Sequence, residues 1–220
     1  MDEATWKEVD RYHGSLHARD EVMEGVLRAC VEAGLPAIQV PASLGGLLMI
    51  LARALGAKRV LEVGTLGGYS TIWLARGLGA DGKVVTLEID PKHARVARNN
   101  FDRAGVAQVV ELREGPAAAS LAAMERKGEG GFDLAFIDAD KANIPVYMEA
   151  ALRMTRVGGL IVVDNVVRGG AVLEAGGDES VRGVRTLNER LAREGRVAFT
   201  HVQTVGEKGY DGFAVVRVEG

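Results

Sequence analysis

Short apolar runs rich in β-branched residues recur along the chain, separated by segments whose apolar positions follow helical spacing. The runs predict strands near 59–63, 83–88, 108–112, 132–137 and 158–164. The segments between them predict helices near 69–78, 91–104, 116–127 and 143–155. Pro91 suits a first helical turn, and Gly79 and Gly105 suit terminators. Earlier in the chain, Trp6, Val9, Tyr12, Val22, Val26, Leu27 and Cys30 recur at helical spacing, with Gly34-Leu35-Pro36 as a stop. A further helix is expected from Ser43, as N-cap, to Leu55. Glycine-rich residues 168–178 predict a mobile loop. A helix near 179–194 follows, then strands near 196–204 and 213–218. Strand–helix alternation implies an α/β fold, Rossmann-like and doubly wound, with a mostly parallel seven-stranded sheet. The last strand pair should add antiparallel at its edge, and extra helices precede it. We expect one domain over 1–220: a helical segment, 1–42, and a Rossmann-like core, 43–220.

The chain has 220 residues and a net charge of −3, which gives no electrostatic reason to expect a nucleic-acid or anionic-membrane partner. The single cysteine, Cys30, precludes an intrachain disulfide and fits a reducing compartment. The N-terminus lacks a basic-then-apolar signal pattern, and no apolar run reaches membrane-spanning length. The expected location is cytoplasmic. Apolar stripes in the N-terminal helices, beyond what one sheet face needs, suggest a homodimer.

One stretch narrows the chemistry. Val60-Leu61-Glu62-Val63-Gly64-Thr65-Leu66-Gly67-Gly68-Tyr69-Ser70 reads as a strand, a glycine turn and a helix start, the arrangement that surrounds a nucleoside ligand. A dinucleotide turn would want glycine two residues after Gly64, where this chain has Leu66. The spacing Glu62, Gly64, Gly68 leans instead toward S-adenosylmethionine. A strand–turn–helix without ligand is the alternative. The next strand ends in Glu88, placed to accept hydrogen bonds from ribose hydroxyls.

Two later strands also end in acids, at Asp138-Ala139-Asp140-Lys141 and at Asp164-Asn165. Each cluster alone could be no more than a helix cap. On neighbouring strands, Asp138, Asp164 and Asn165 would offer oxygens only, a set suited to a hard cation such as Mg²⁺, Mn²⁺ or Ca²⁺.

In this order the motifs resemble those of the cation-dependent, S-adenosylmethionine-dependent O-methyltransferases of the catechol and caffeoyl-coenzyme A type. The strings are VLEVGTLGGYS, VVTLEID, REGPA, FIDADK, VGGLIVVDN and a closing Asp211-Gly212, and they run from about residue 40 to the end. The resemblance implies methyl transfer to a small hydroxylated acceptor. It implies a cofactor site lined by Val40, Glu62, Gly64, Thr65, Gly68, Tyr69, Ser70, Glu88, the Gly115-Pro116-Ala117 turn and Asp138. It further implies that Asp138, Asp164 and Asn165 hold the metal and that Lys141 is the base.

Two stretches depart from the family pattern. Val166-Val167-Arg168-Gly169-Gly170-Ala171 carries no aromatic where relatives often sandwich a flat acceptor, and Leu44-Gly45-Gly46 stands where relatives often carry Gly-Gln. The acceptor pocket is therefore expected to be wide, shallow or completed by the N-terminal helices. Other acceptors and chemistries remain open: a hydroxylated tRNA nucleoside by the same mechanism, or a nicotinamide-dependent oxidoreduction on the same fold.

Overall fold

Strand β1 (Arg59–Val63) is an interior strand, third in a seven-stranded sheet of order β3-β2-β1-β4-β5-β7-β6, in a computed structural model that describes residues 2–79 and 81–220. Its neighbours are β2 (Lys83–Glu88) and β4 (Phe132–Ile137), both parallel to it. β3 (Val110–Glu114) and β5 (Thr155–Asp164) extend the parallel ladder on either side. β7 (Gly209–Val218) is antiparallel to both β5 and β6 (Val197–Gly206).

Residues alternate between two apolar faces, so nearly every residue of the central strands is buried. Leu61, Val63, Val85, Ile137 and Val163 meet α6 (Ala117–Arg126), α7 (Ile144–Met154) and α8 (Glu179–Leu191) through Leu121, Met124, Tyr147 and Leu187. Val60, Val84, Leu134, Phe136 and Val162 meet the opposite layer. That layer comprises α2 (Glu21–Glu32), α3 (Ala42–Ala54), α4 (Tyr69–Gly77) and α5 (Pro91–Arg103), through Val26, Leu48, Ile72 and Phe101. α1 (Glu3–Ser15) buries no residue and lies on β6, where Asp10 accepts a hydrogen bond from the Glu207 N–H at 2.8 Å.

The expected fold class is the observed one, with local differences. β3 starts two residues late because residues 107–109 form a 3₁₀ turn, closed by Val109 N–H on the Val106 carbonyl. β5 starts at Thr155, ahead of an irregular stretch in which Gly158 takes φ +81°. Pro41, not Ser43, precedes the first turn of α3, with no side-chain cap. Within the glycine-rich stretch, residues Arg168–Leu173 are ordered as 3₁₀ turns. β7 begins at Gly209, earlier than expected, because β6 and β7 pair over their whole length around a tight turn.

Candidate active site

The carboxyl ends of β1, β2, β4 and β5 gather Glu62, Glu88, Asp138 and Asp164 at one end of the sheet. At the end of β1 the chain turns through Gly64 (φ +96°), Leu66 (φ +51°) and Gly68 (φ +85°) into α4. A Cβ on Gly64 would collide with the Asp138 carbonyl oxygen, so only glycine lets the turn lie against β4. Glu88 fastens the turn from the tip of β2, accepting Thr65 N–H at 3.2 Å and Leu66 N–H at 2.7 Å. Its other oxygen accepts Asp90 N–H at 2.9 Å, and the Gly115 N–H donates to the Glu88 carbonyl, bringing the Gly115-Pro116-Ala117 turn alongside.

Glu62 sits beneath this turn with 0% exposure. Its carboxylate accepts Ser70 Oγ at 2.7 Å, Thr71 Oγ1 at 2.5 Å and Thr86 Oγ1 at 2.6 Å. Burial pushes its carboxyl up to about 7, although the three hydroxyls work in the other direction. The side chains of Glu62 and Ser70 are thus turned into this buried cluster, and Tyr69 packs edge-on to Trp73 with ring centroids 6.4 Å apart. What they leave available toward the turn is backbone, because the first N–H groups of a helix lack an intrahelical acceptor. Asn100, fully buried on α5, was not anticipated from the sequence. It donates to the Gly67 carbonyl at 2.9 Å and holds the far side of the turn. Its one signal was a polar residue on the apolar stripe that includes Ala94, Ala97 and Phe101.

β4 and β5 end side by side: Ile137 pairs with Val163, and the next residues are Asp138 and Asp164. Adjacent strands lie about 5 Å apart. Burial, then the charge of Asp138, push the Asp164 carboxyl up to about 7. Asn165 follows at φ +59°, its N–H donating to Asp164 Oδ1 at 2.8 Å. Lys141, 8% exposed, donates through Nζ to Asp138 Oδ1 at 2.7 Å. Among the described residues no group of three His, Cys, Asp or Glu side chains is arranged to hold a metal; the set here is two carboxylates and an amide.

A cavity of about 480 Å³ opens beside Asp164 and Asn165. Its walls are Ile38, Val40, Leu44 and Leu47 from the N-terminal region, and Val202, Val205 and Phe213 from the last two strands. Asp10 of α1 and Lys208 of the β6–β7 turn close its rim, and Lys208 Nζ donates to the Ala37 carbonyl at 2.7 Å. Val40, expected to line the cofactor site, borders this cavity. Neither Asp10 nor Lys208 was anticipated as a lining residue, because only the tertiary fold brings both chain ends to one rim.

A mostly parallel sheet with a glycine turn after β1 and an acid at the tip of β2 is the architecture of the nucleoside-binding α/β proteins. A family model described as O-methyltransferase matches residues 13–217. The chain belongs to that O-methyltransferase family and is an enzyme of methyl transfer to oxygen. It is 49% identical over 199 residues to a catechol O-methyltransferase of Mycobacterium tuberculosis, covering 90% of this chain and 89% of that one. It is 44% identical over 221 residues to a catechol O-methyltransferase of Niastella koreensis, covering 100% of each. An O-methyltransferase from Bacillus cereus, solved in complex with SAH, superposes with a TM-score of 0.97 at 47% identity, covering 99% of this chain and 100% of that one. The nicotinamide oxidoreductase alternative falls with this family membership.

Proposed function

We propose that the chain transfers the methyl group of S-adenosylmethionine to one hydroxyl of a small catechol-like acceptor, assisted by a divalent cation. The observation that carries this reading is the juxtaposition of the cavity with Asp164 and Asn165, beside Asp138. The names of the two relatives, and the SAH held by the Bacillus cereus enzyme, support it.

In this reading Gly64, Thr65 and Gly68 let the cofactor approach the backbone, and the N–H groups of Tyr69 and Ser70 meet its charged end. Glu88 accepts from the ribose, the Gly115-Pro116-Ala117 turn borders the base, and Asp138 bounds the sulfonium side. Glu62 supports the turn from beneath, and Val40 separates cofactor from acceptor.

Asp138, Asp164 and Asn165 fit a hard cation, since they offer only oxygens, two of them as carboxylates on neighbouring strand ends. When bound, Mg²⁺, Mn²⁺ or Ca²⁺ would supply Lewis-acid polarisation of the acceptor oxygens. Lys141 takes the hydroxyl proton on Nζ. The acceptor oxygen then forms a bond to the methyl carbon as the carbon–sulfur bond breaks, and the sulfonium leaves as a neutral thioether. Asp10, residues 37–41 and the β6–β7 turn hold the ring of the acceptor against water. The whole of 1–220 acts as one catalytic domain. Exposed Val9 and Tyr12 on α1, Leu16 just after it and Phe199 on β6 suit a homodimer, and buried, unpaired Cys30 suits a cytoplasmic enzyme.

Labelled S-adenosylmethionine offered together with dihydroxyphenols and bulk tRNA tests this. Label should enter the phenol. Label in tRNA alone would redirect the acceptor to a nucleoside, and label in neither would contradict the proposal.

A further inference from the structure

The turn that carries Asn165 is held from outside by one side chain with no assigned task. Asp211 lies near the start of β7, on the wall of the same cavity. Its Oδ1 accepts three backbone N–H groups: Val167 at 3.0 Å, Arg168 at 3.0 Å and Gly212 at 2.9 Å. The Val166 N–H donates to the Gly212 carbonyl at 2.9 Å, so every amide from Val166 to Arg168 is tied to the Asp211-Gly212 pair. A Cβ at Gly212 would strike the Val202 carbonyl, so glycine is what allows this close approach of β6 and β7.

The segment being tied is strained. Asn165 and Arg168 both adopt φ +59°, a left-handed conformation rare for residues with a side chain. Such residues persist where their surroundings over-determine them. Released from Asp211, the turn would relax toward ordinary backbone and carry Asn165 away from Asp138 and Asp164.

We propose that Asp211 is a positioning residue for cation ligation, acting through Asn165 by latching the turn that follows it. The inference rests on the cation reading above. Two features separate a latch from a mere surface cap. The bonded amides begin directly after Asn165, and the latching residue borders the cavity where the acceptor would enter.

The test is direct Mn²⁺ binding to the purified full chain, followed by the resonance of free Mn²⁺ under titration, with calorimetric SAH binding as the control. Asp211→Ala should weaken Mn²⁺ binding about 10–100-fold, the range for residues supporting a ligand, and leave SAH affinity within about threefold. Asp211→Asn keeps an acceptor oxygen for the three N–H groups and should bind Mn²⁺ within about threefold of the parent. Unchanged Mn²⁺ affinity in Asp211→Ala overturns the latch while leaving the cation reading intact. Equal loss in Asp211→Asn and Asp211→Ala also overturns it, because charge would then matter and not the latch. Should Asp211→Ala fail to fold, Asp211→Asn decides alone: retained binding supports the latch and lost binding overturns it. A parent enzyme that binds SAH but no Mn²⁺ overturns the cation reading and the latch together.

Discussion

Lys141 Nζ lies 2.7 Å from Asp138 Oδ1, so the amine proposed to move the proton is aimed by one of the proposed cation ligands. The pair is short in sequence and nearly closed to solvent on the lysine side, with Lys141 8% exposed. Lys141→Met should therefore slow methyl transfer about 10²–10⁴-fold, the usual contribution of a positioned base. SAH affinity should stay near the parent value. Raising the pH toward the ordinary phenol range, about 10, should recover part of the rate as the acceptor ionises unaided. Calorimetry and a pH–rate profile check both halves.

Glu62 makes a prediction about stability alone. Its carboxyl is raised from an ordinary value of 4.5 to about 7 by burial. The folded state therefore holds a proton that the unfolded state gives up between these values. Stability is full below pH 4.5 and falls as pH rises to about 7. The fall amounts to about 3 kcal/mol at most, at 1.36 kcal/mol per pKa unit. Glu62→Gln should flatten this part of the profile. Urea unfolding at pH 5 and pH 8 measures it, and parallel profiles for the two proteins would contradict the assignment.

Glu88→Gln should separate the two tasks proposed for this residue. The amide keeps an oxygen for Thr65 N–H and Leu66 N–H, so the fold should survive with a loss of about 1 kcal/mol. Its partner for the ribose hydroxyls is weakened, and SAH affinity should drop about tenfold, a 1.4 kcal/mol change. Thermal unfolding and calorimetry read the two effects separately.

The glycine turn offers a stronger perturbation. Gly64→Ala places a methyl group against the Asp138 carbonyl at a backbone φ of +96°. A cost of about 1–3 kcal/mol for the backbone alone is expected, with cofactor binding lost. Denaturation midpoints and SAH titration check this.

Much of this architecture was legible in the sequence because buried parallel strands read as continuous apolar runs. β1, β2 and β4 have the expected bounds. β3 was less legible: it is a half-buried edge strand in which Glu111, Arg113 and Glu114 blur the pattern. The acids of the candidate site were visible because they interrupt apolar runs at strand ends, as Asp138 and Asp164 do. Asp211, Asn100 and Asp10 escaped notice as site residues because their partners lie far away in sequence. Asp211 meets residues 166–168 only once β7 pairs with β5. The burial of Glu62 was also hidden, since its hydroxyl partners come from both α4 and β2.

The central claim is tested most directly by methyl transfer from labelled S-adenosylmethionine to a catechol, with chelator and after return of Mg²⁺ or Mn²⁺. Chelation should abolish turnover and leave SAH binding nearly intact, because the proposed cofactor contacts, the glycine turn and Glu88, are separate from Asp164 and Asn165. Returning the cation should restore the rate, and Asp164→Ala should lose activity and cation response together. A chelated enzyme that methylates catechol at the untreated rate would contradict the account and reduce Asp138, Asp164 and Asn165 to a structural role.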